Sequence, residues 1–113
     1  MTTYTSLEIS KLIHVKVPKM EVTAWHIKPP VDNNYYICTN ERDWIGYPLI
    51  WKLRINAYRL DDVLRAMNIL WKSSGRPFGW ELARGYELVE SYLTSDCNLQ
   101  DPKVEQVIRD IFV

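Results

Sequence analysis

The sequence predicts an α+β domain, with an antiparallel sheet of three to four strands in the N-terminal half covered on one face by two to three C-terminal helices. Three observations support this class. Runs of alternating and β-branched residues precede position 58, apolar residues at helical spacing follow position 60, and prolines and turn-forming residues separate the runs. Because 47% of the 113 residues are hydrophobic and 25% are charged, residues 1–113 are expected to form a single domain with its own core.

The first two predicted elements are a short helix or turn and a strand. Thr5 and Glu8 have the spacing of a capping box, which predicts a helix or turn over Ser6–Leu12. The next residues alternate between apolar and polar, which is strand periodicity, and Pro18 ends the run. This strand consists of Ile13, His14, Val15, Lys16 and Val17.

Three further strands are predicted before position 58. Val22–Ile27 and Tyr35–Thr39 are rich in β-branched and aromatic residues, and Pro29-Pro30 with Asp32-Asn33-Asn34 form the turn between them. Leu49–Ala57 is predicted as the strongest strand, since apolar side chains alternate through it. Its apolar face comprises Leu49, Trp51, Leu53, Ile55 and Ala57, and its polar face includes Lys52 and Arg54.

Three helices are predicted in the C-terminal half. Helical spacing predicts one over Leu60–Ser73, with Gly75 at its end, and a second over Trp80–Thr94. Asp101 is a candidate N-cap of the third helix, and Pro102 fits its first position. The second helix is expected to face the core with the stripe Leu82, Tyr86, Val89 and Leu93.

Charge and cysteine content restrict the classes of partner. The formal net charge is zero, which disfavours a general nucleic-acid or membrane-surface binder. Residues 1–79 nevertheless carry 11 basic and seven acidic side chains, and residues 80–113 carry three basic and seven acidic ones. Cys38 and Cys97 lack zinc-site spacing, so two free thiols are the simpler expectation, with a disulfide left open. Without a signal-like or membrane-spanning run, the chain is expected to be cytoplasmic and to have no membrane partner.

No catalytic motif stands out, and the chain is expected to be no enzyme and to need no cofactor or metal. It has no Gly-x-Ser-x-Gly and no P-loop. His14 and His26 would lie on adjacent predicted strands and could pair in acid–base catalysis, although two unrelated sheet histidines are the much simpler expectation, because the register of the strands is unknown. Asp61-Asp62 could bind a cation, but acidic residues are also ordinary at a helix N-terminus.

Two predicted loops have the composition of a binding site. Asn40–Tyr47 and Ser73–Trp80 combine arginine and aromatic rings with turn-forming glycine or proline, and Trp, Tyr and Arg are the residues enriched at binding hot spots. The candidate binding residues are Arg42, Trp44, Tyr47, Arg76, Phe78 and Trp80. Alternatively, the rings of the first loop could fold inward against the sheet edge, and Phe78 and Trp80 could pack the turn between two helices.

These loops favour a small interaction module of inhibitor, immunity or adaptor type that binds another protein. A second hypothesis is a nucleotide-binding protein with a pocket at a dimer interface, where Arg42 or Arg76 would hold a phosphate. A third is weak nucleic-acid binding by Lys52 and Arg54. A homodimer is also expected, because the apolar Trp71, Tyr92, Phe112 and Val113 exceed what one small sheet can cover.

Overall fold

A computed structural model describes residues 3–77 and 79–113 and confirms the α+β class. Within these residues the chain forms three strands, five α-helices and one 3₁₀ helix. Their order is α1 (Leu7–Lys16), β1 (Ala24–Ile27), β2 (Tyr36–Cys38), the 3₁₀ helix (Glu41–Trp44), α2 (Pro48–Lys52), β3 (Ile55–Ala57), α3 (Leu60–Ser74), α4 (Trp80–Thr94) and α5 (Pro102–Phe112). None of the described helices is both long and apolar enough to cross a lipid bilayer.

The three strands form one antiparallel sheet in the order β2-β1-β3. In the central strand, Trp25 lies opposite Cys38 and Asn56, whereas His26 lies opposite Ile37 and Ile55. Residues directly opposite each other project from the same face of a sheet, and neighbours along a strand project from opposite faces. Trp25 therefore projects from one face of the sheet and His26 from the other.

The predicted first strand is wrong, because Ile13, Val15 and Val17 belong to or follow the helix α1. Ser6 is the N-cap, and its hydroxyl accepts a hydrogen bond from the Ile9 amide at 3.3 Å. Ile9 and Ile13, four residues apart, are fully buried on one face of the helix. Burial of this face outweighs the strand preference of the β-branched residues.

The predicted strand Leu49–Ala57 is also largely wrong, since only Ile55–Ala57 is extended. Pro48 occupies the first turn of α2, a position where its missing amide is not needed and its fixed φ suits a helix. Leu49 and Leu53, which were expected on a dry face, are both exposed.

The three C-terminal helices agree closely with their predicted positions. Helix α3 ends one residue later than predicted, with Gly75 as C-cap at a φ of +64°, and α4 spans Trp80–Thr94. Asp101 caps α5 by accepting a hydrogen bond from the Lys103 amide at 2.9 Å. Capping residues act within one turn of the chain, which is why local sequence locates these ends well.

The core lies between α1, α3 and α5, and α1 is the helix that packs against β3 of the sheet. Its fully buried side chains include Ile9, Ile13, Tyr58, Met67, Ile108 and Phe112. Helix α4 packs on α3 and α5 but buries only Leu88, and the stripe Leu82, Tyr86, Val89 and Leu93 that was expected to face the core faces away from it. Helix α4 has a second set of apolar residues, Trp80, Leu88 and Tyr92, and this set contacts the core instead.

Candidate interaction surface

The segment 41–53 connects β2 to β3 and consists of two short helices with a tight turn between them. Asn40 caps the 3₁₀ helix, its side chain accepting a hydrogen bond from the Arg42 amide at 3.1 Å. The Tyr47 amide donates to the Trp44 carbonyl at 2.9 Å, which closes the turn before Pro48. The chain therefore has defined local structure here, although no residue of the segment is buried.

Large apolar and aromatic side chains of this segment face outward. The exposed fraction is 83% for Ile45, 56% for Tyr47, 77% for Leu49 and 76% for Leu53. Trp44 is half-buried and contacts the Tyr47 ring edge-to-face, with 5.8 Å between the ring centroids. We refer to residues 41–53, together with Trp25 and Arg54 described next, as the aromatic surface.

At this surface the Trp51 side chain contacts two others, Trp25 and Arg54. Trp51 of α2 contacts Trp25 of the sheet edge-to-face, with 4.9 Å between centroids. The Arg54 guanidinium lies over the Trp51 ring, 4.4 Å from its centroid, and donates a hydrogen bond to the Trp51 carbonyl at 2.9 Å. Trp51, which the sequence assigned to the apolar face of a strand, is instead half-buried at a surface.

Two open clefts adjoin at this surface and share Glu41, Lys52 and Arg54. The larger has a volume of about 760 Å³ and the smaller of about 530 Å³. The smaller is lined mainly by the segment itself, including Arg42, Trp44, Ile45 and Trp51. The larger cleft extends along the loop between α1 and β1. Its lining includes the Trp25 ring and further polar residues, His14, Lys19, Glu21 and Asn56.

The second predicted binding loop is packed more closely against its own helices. The Arg76 guanidinium lies 4.6 Å from the Trp80 ring centroid and donates to the Ser74 hydroxyl at 2.6 Å. The Trp71 indole donates to the Pro77 carbonyl at 3.2 Å. Trp80 packs against the hydrophobic core, as expected if this loop serves the turn between helices. Phe78 lies outside the described residues.

The two loops do not form one site through direct contacts. Within residues 3–77 and 79–113, no hydrogen bond, ion pair or ring contact joins the 40–47 segment to the 73–80 segment. Arg42, Trp44 and Tyr47 therefore belong to the aromatic surface, whereas Arg76 and Trp80 belong to the α3–α4 turn.

The two histidines do not form a paired site on adjacent strands. His14 is exposed on α1, and His26 is buried on β1 beneath that helix. The His26 Nε2 lies 2.9 Å from the Ser10 hydroxyl, which lies 2.6 Å from the Thr5 hydroxyl. Burial lowers the pKa of His26, an effect that a hydrogen bond to the Thr5 backbone partly opposes. Ser10 and Thr5 are fully buried, so this network has no access to a substrate and serves to join α1 to the sheet.

The remaining candidate groups have structural partners. Asp62 accepts a hydrogen bond from the Arg59 amide at 3.1 Å and pairs with Arg65, and Asp61 pairs with Arg59. These carboxylates stabilise the start of α3. Cys38 is buried, Cys97 is half-buried, and both are free thiols. Among the described residues, no group of three or more His, Cys, Asp or Glu side chains is placed to hold a metal ion.

Sequence reasoning missed Trp25, Leu49, Leu53 and Arg54 as members of the aromatic surface. For Leu49 and Leu53 the signal was Pro48, because proline is common at the first turn of a helix and a helix here would rotate both leucines away from the sheet. No comparable local signal marks Trp25 or Arg54. Comparison with known protein families, curated proteins and solved structures finds no match for this chain. The geometry of the surface therefore carries the functional argument.

Proposed function

We propose that the protein is a small non-enzymatic interaction module, of inhibitor, immunity or adaptor type, that binds another protein through the aromatic surface. A single observation carries the proposal. The segment 41–53 contains seven large apolar or aromatic residues and buries none of them. They are Trp44, Ile45, Tyr47, Leu49, Ile50, Trp51 and Leu53.

Exposed apolar residues grouped in this way are costly unless a partner covers them. Single exposed leucines are normal on a protein surface, but a contiguous patch with polar residues around it is typical of an interaction site. Here Arg42, Lys52 and Arg54 line the same cleft as Trp44, Ile45 and Trp51, which reproduces the combination of aromatic centre and arginine found in binding hot spots.

The local structure also favours tight association. The contacts of Trp51 with Trp25 and with Arg54 are made before a partner arrives, so less side-chain freedom is lost on binding. The turn hydrogen bond of Tyr47 similarly fixes the position of its ring relative to Trp44. A structured surface of this kind supports binding to a folded partner with little rearrangement.

The α3–α4 turn is a secondary contact in this proposal. Arg76 is engaged with Trp80 and Ser74, and Trp80 contacts the core, so replacing either residue would change the turn as well as any contact with a partner. Arg42, Trp44 and Tyr47 are the residues of the sequence-predicted set whose replacement tests binding most directly.

The experiment begins with native mass spectrometry of the tagged protein purified gently from its source cells, which identifies a bound protein by its mass. Affinity for that protein is then compared for wild type, Trp44→Ala and Leu49→Glu. Each variant is expected to bind at least fivefold more weakly, equivalent to about 1 kcal/mol or more. Val31→Glu is the matched control, because Val31 is highly exposed outside the surface.

The proposal fails if Trp44→Ala and Leu49→Glu both bind like wild type. It also fails if they lose binding only because they unfold, which thermal unfolding would detect. Since neither position is buried, both variants are expected to stay folded, with Leu49→Glu within about 2 °C of the wild-type melting temperature and Trp44→Ala lowered by at most about 6 °C through the lost contact with Tyr47.

A nucleotide or similar phosphorylated ligand is the second candidate, and the larger cleft favours it. Its volume of about 760 Å³ lies in the usual range for ligand sites, and it brings Lys19, Lys52 and Arg54 close to the Trp25 ring. A ligand at about 100 times its Kd would stabilise the fold by about 2.7 kcal/mol. A nucleotide panel that raises the melting temperature of wild type but not of Lys52→Ala would support this candidate, and no shift would oppose it. Weak nucleic-acid binding would depend on the same three cations, and no separate observation favours it.

A further inference from the structure

Helix α4 presents an apolar stripe to solvent over three turns. The exposed fraction is 79% for Leu82, 72% for Tyr86 and 62% for Leu93, and Val89 lies between the last two. These residues share one face of the helix, because they are separated by four, three and four positions. The stripe is distinct from the aromatic surface, which lies on residues 41–54 and Trp25.

The spacing of the stripe reads the same in both directions. When two identical helices pack antiparallel about a two-fold axis between residues 87 and 88, Leu82 of one copy faces Leu93 of the other, and Tyr86 faces Val89. Each large side chain then has an apolar neighbour in the other copy, and none of the four faces the same residue across the axis. This spacing is common to amphipathic helices, so the symmetry allows a two-fold dimer, and the choice of a second copy as occupant depends on the area and the groove described next.

The size of the exposed area fits a small dimer interface. At their exposed fractions the side chains of the stripe offer roughly 400 Å² of apolar surface per copy, which is a typical size for the largest apolar patch of a monomer. Two copies would together bury roughly 800 Å² of apolar surface, and the polar residues around the stripe would bring the total to the lower end of the range for specific interfaces, about 1,200 Å². A groove of about 490 Å³ beside the stripe, lined by Leu64, Met67, Gly85 and neighbouring residues, provides room for side chains of the second copy.

We propose that the occupant of this face is a second copy of the chain, held by antiparallel packing of the two α4 helices. The residues that suggested self-association from the sequence are mostly covered, because Phe112 is buried and Trp71 and Tyr92 are half-buried. The dimer therefore forms through Leu82, Tyr86, Val89 and Leu93.

The charges of α4 distinguish this dimer from an association driven by charge. The helix carries Glu81, Glu87 and Glu90 against one arginine, Arg84, which pairs with Glu87 at 2.9 Å. Two copies therefore bring net negative helices together, and screening by salt should favour the dimer. A basic partner on the same face would instead be released as salt increases.

Sedimentation equilibrium of wild type from about 1 to 500 μM tests the proposal, because an interface at the lower end of the size range is expected to be weak and to dissociate in or near the micromolar range. We expect a shift from monomer to dimer mass that strengthens between 50 mM and 500 mM NaCl. Leu82→Glu and Leu93→Lys should each raise the dissociation constant at least tenfold. In the double variant Leu82→Glu/Leu93→Lys the two losses should not add, since the axis places the new glutamate of one copy beside the new lysine of the other, so its dissociation constant should rise by less than the product of the two single-variant factors.

A monomer mass for wild type over the whole range would overturn the proposal, as would a Leu82→Glu variant that dimerises like wild type. Fully additive losses in the double variant, with its circular dichroism and melting temperature unchanged, would overturn the antiparallel register. Leu49→Glu is the reciprocal control, because it makes the same change at a similarly exposed leucine on the aromatic surface. It should weaken binding of the other protein and leave the dimer intact, so the two proposals can fail independently.

Discussion

Replacing Ser10 with alanine should lower the free energy of unfolding by about 2 kcal/mol. The Ser10 hydroxyl is fully buried and lies within hydrogen-bond distance of both the His26 ring and the Thr5 hydroxyl. Thr5 in turn accepts a hydrogen bond from the Tyr58 amide at 3.2 Å and donates its own amide to the Tyr58 carbonyl at 2.8 Å. Ser10 therefore connects α1 by hydrogen bonds to His26 of β1 and, through Thr5, to Tyr58 just after β3.

The magnitude follows from what each group loses. Without Ser10 the Nε2 of His26 is left without this partner in a buried position, which costs about 1–3 kcal/mol. Thr5 keeps its bond from the Tyr58 amide, so its loss is smaller. Alanine is a better helix former than serine, which returns about 0.5 kcal/mol in the middle of α1. The net cost of about 2 kcal/mol would lower the melting temperature by about 8 °C in a domain of this size.

Urea unfolding at pH 7.5, followed by circular dichroism and tryptophan fluorescence, measures this change. Ser91→Ala is the matched control, because Ser91 lies in α4, away from the network, and gains the same helix propensity. A loss of stability in Ser10→Ala no larger than that in Ser91→Ala, with the same slope of unfolding free energy against urea concentration, would contradict this prediction. That result would mean that the buried polar contacts add nothing beyond what apolar packing supplies.

Two further predictions concern pH and backbone conformation. Burial lowers the pKa of His26 below its ordinary value of 6.5, so below about pH 6.5 the unfolded chain binds a proton that the folded chain does not. The free energy of unfolding should therefore fall by at most about 1.4 kcal/mol per pH unit until the folded-state pKa is reached. Urea titrations between pH 7.5 and 5 should show this decline for wild type and not for His26→Gln. Gly75→Ala should cost about 1 kcal/mol, because Gly75 has a φ of +64° and an added Cβ would meet no atom within 4 Å, so the cost is one of backbone conformation alone. Gly46→Ala is its control, since that position is equally open and does not have a left-handed φ, and thermal unfolding should show it neutral or slightly stabilising.

The C-terminal half shows how much local sequence can determine. Asp101 and Pro102 begin α5, and Gly75 ends α3, because capping, ring geometry and left-handed φ each act within a single turn of the chain. The α+β class follows from the same kind of reasoning, since three amphipathic helices and several β-rich runs have few ways to bury their apolar faces. Arg42, Trp44 and Tyr47 could also be identified as candidate binding residues from their composition alone.

Tertiary structure decided which apolar residues are inside. Alternating residues at Ile13–Val17 and Leu49–Ala57 satisfy a strand pattern, but packing of Ile9 and Ile13 and the position of Pro48 select helices there. Helix α4 has large apolar residues on two faces, so its periodicity predicts a helix but does not show which face packs against the core. That choice depends on how α3 and α5 are placed, which is a property of the assembled chain. The sequence thus determined the class of the fold and the ends of its later helices, and Pro48 was a local sign of the helix that turns Leu49 and Leu53 outward. The outward positions of Leu82 and Leu93 arose only from three-dimensional packing, because local periodicity does not select between the apolar faces of α4.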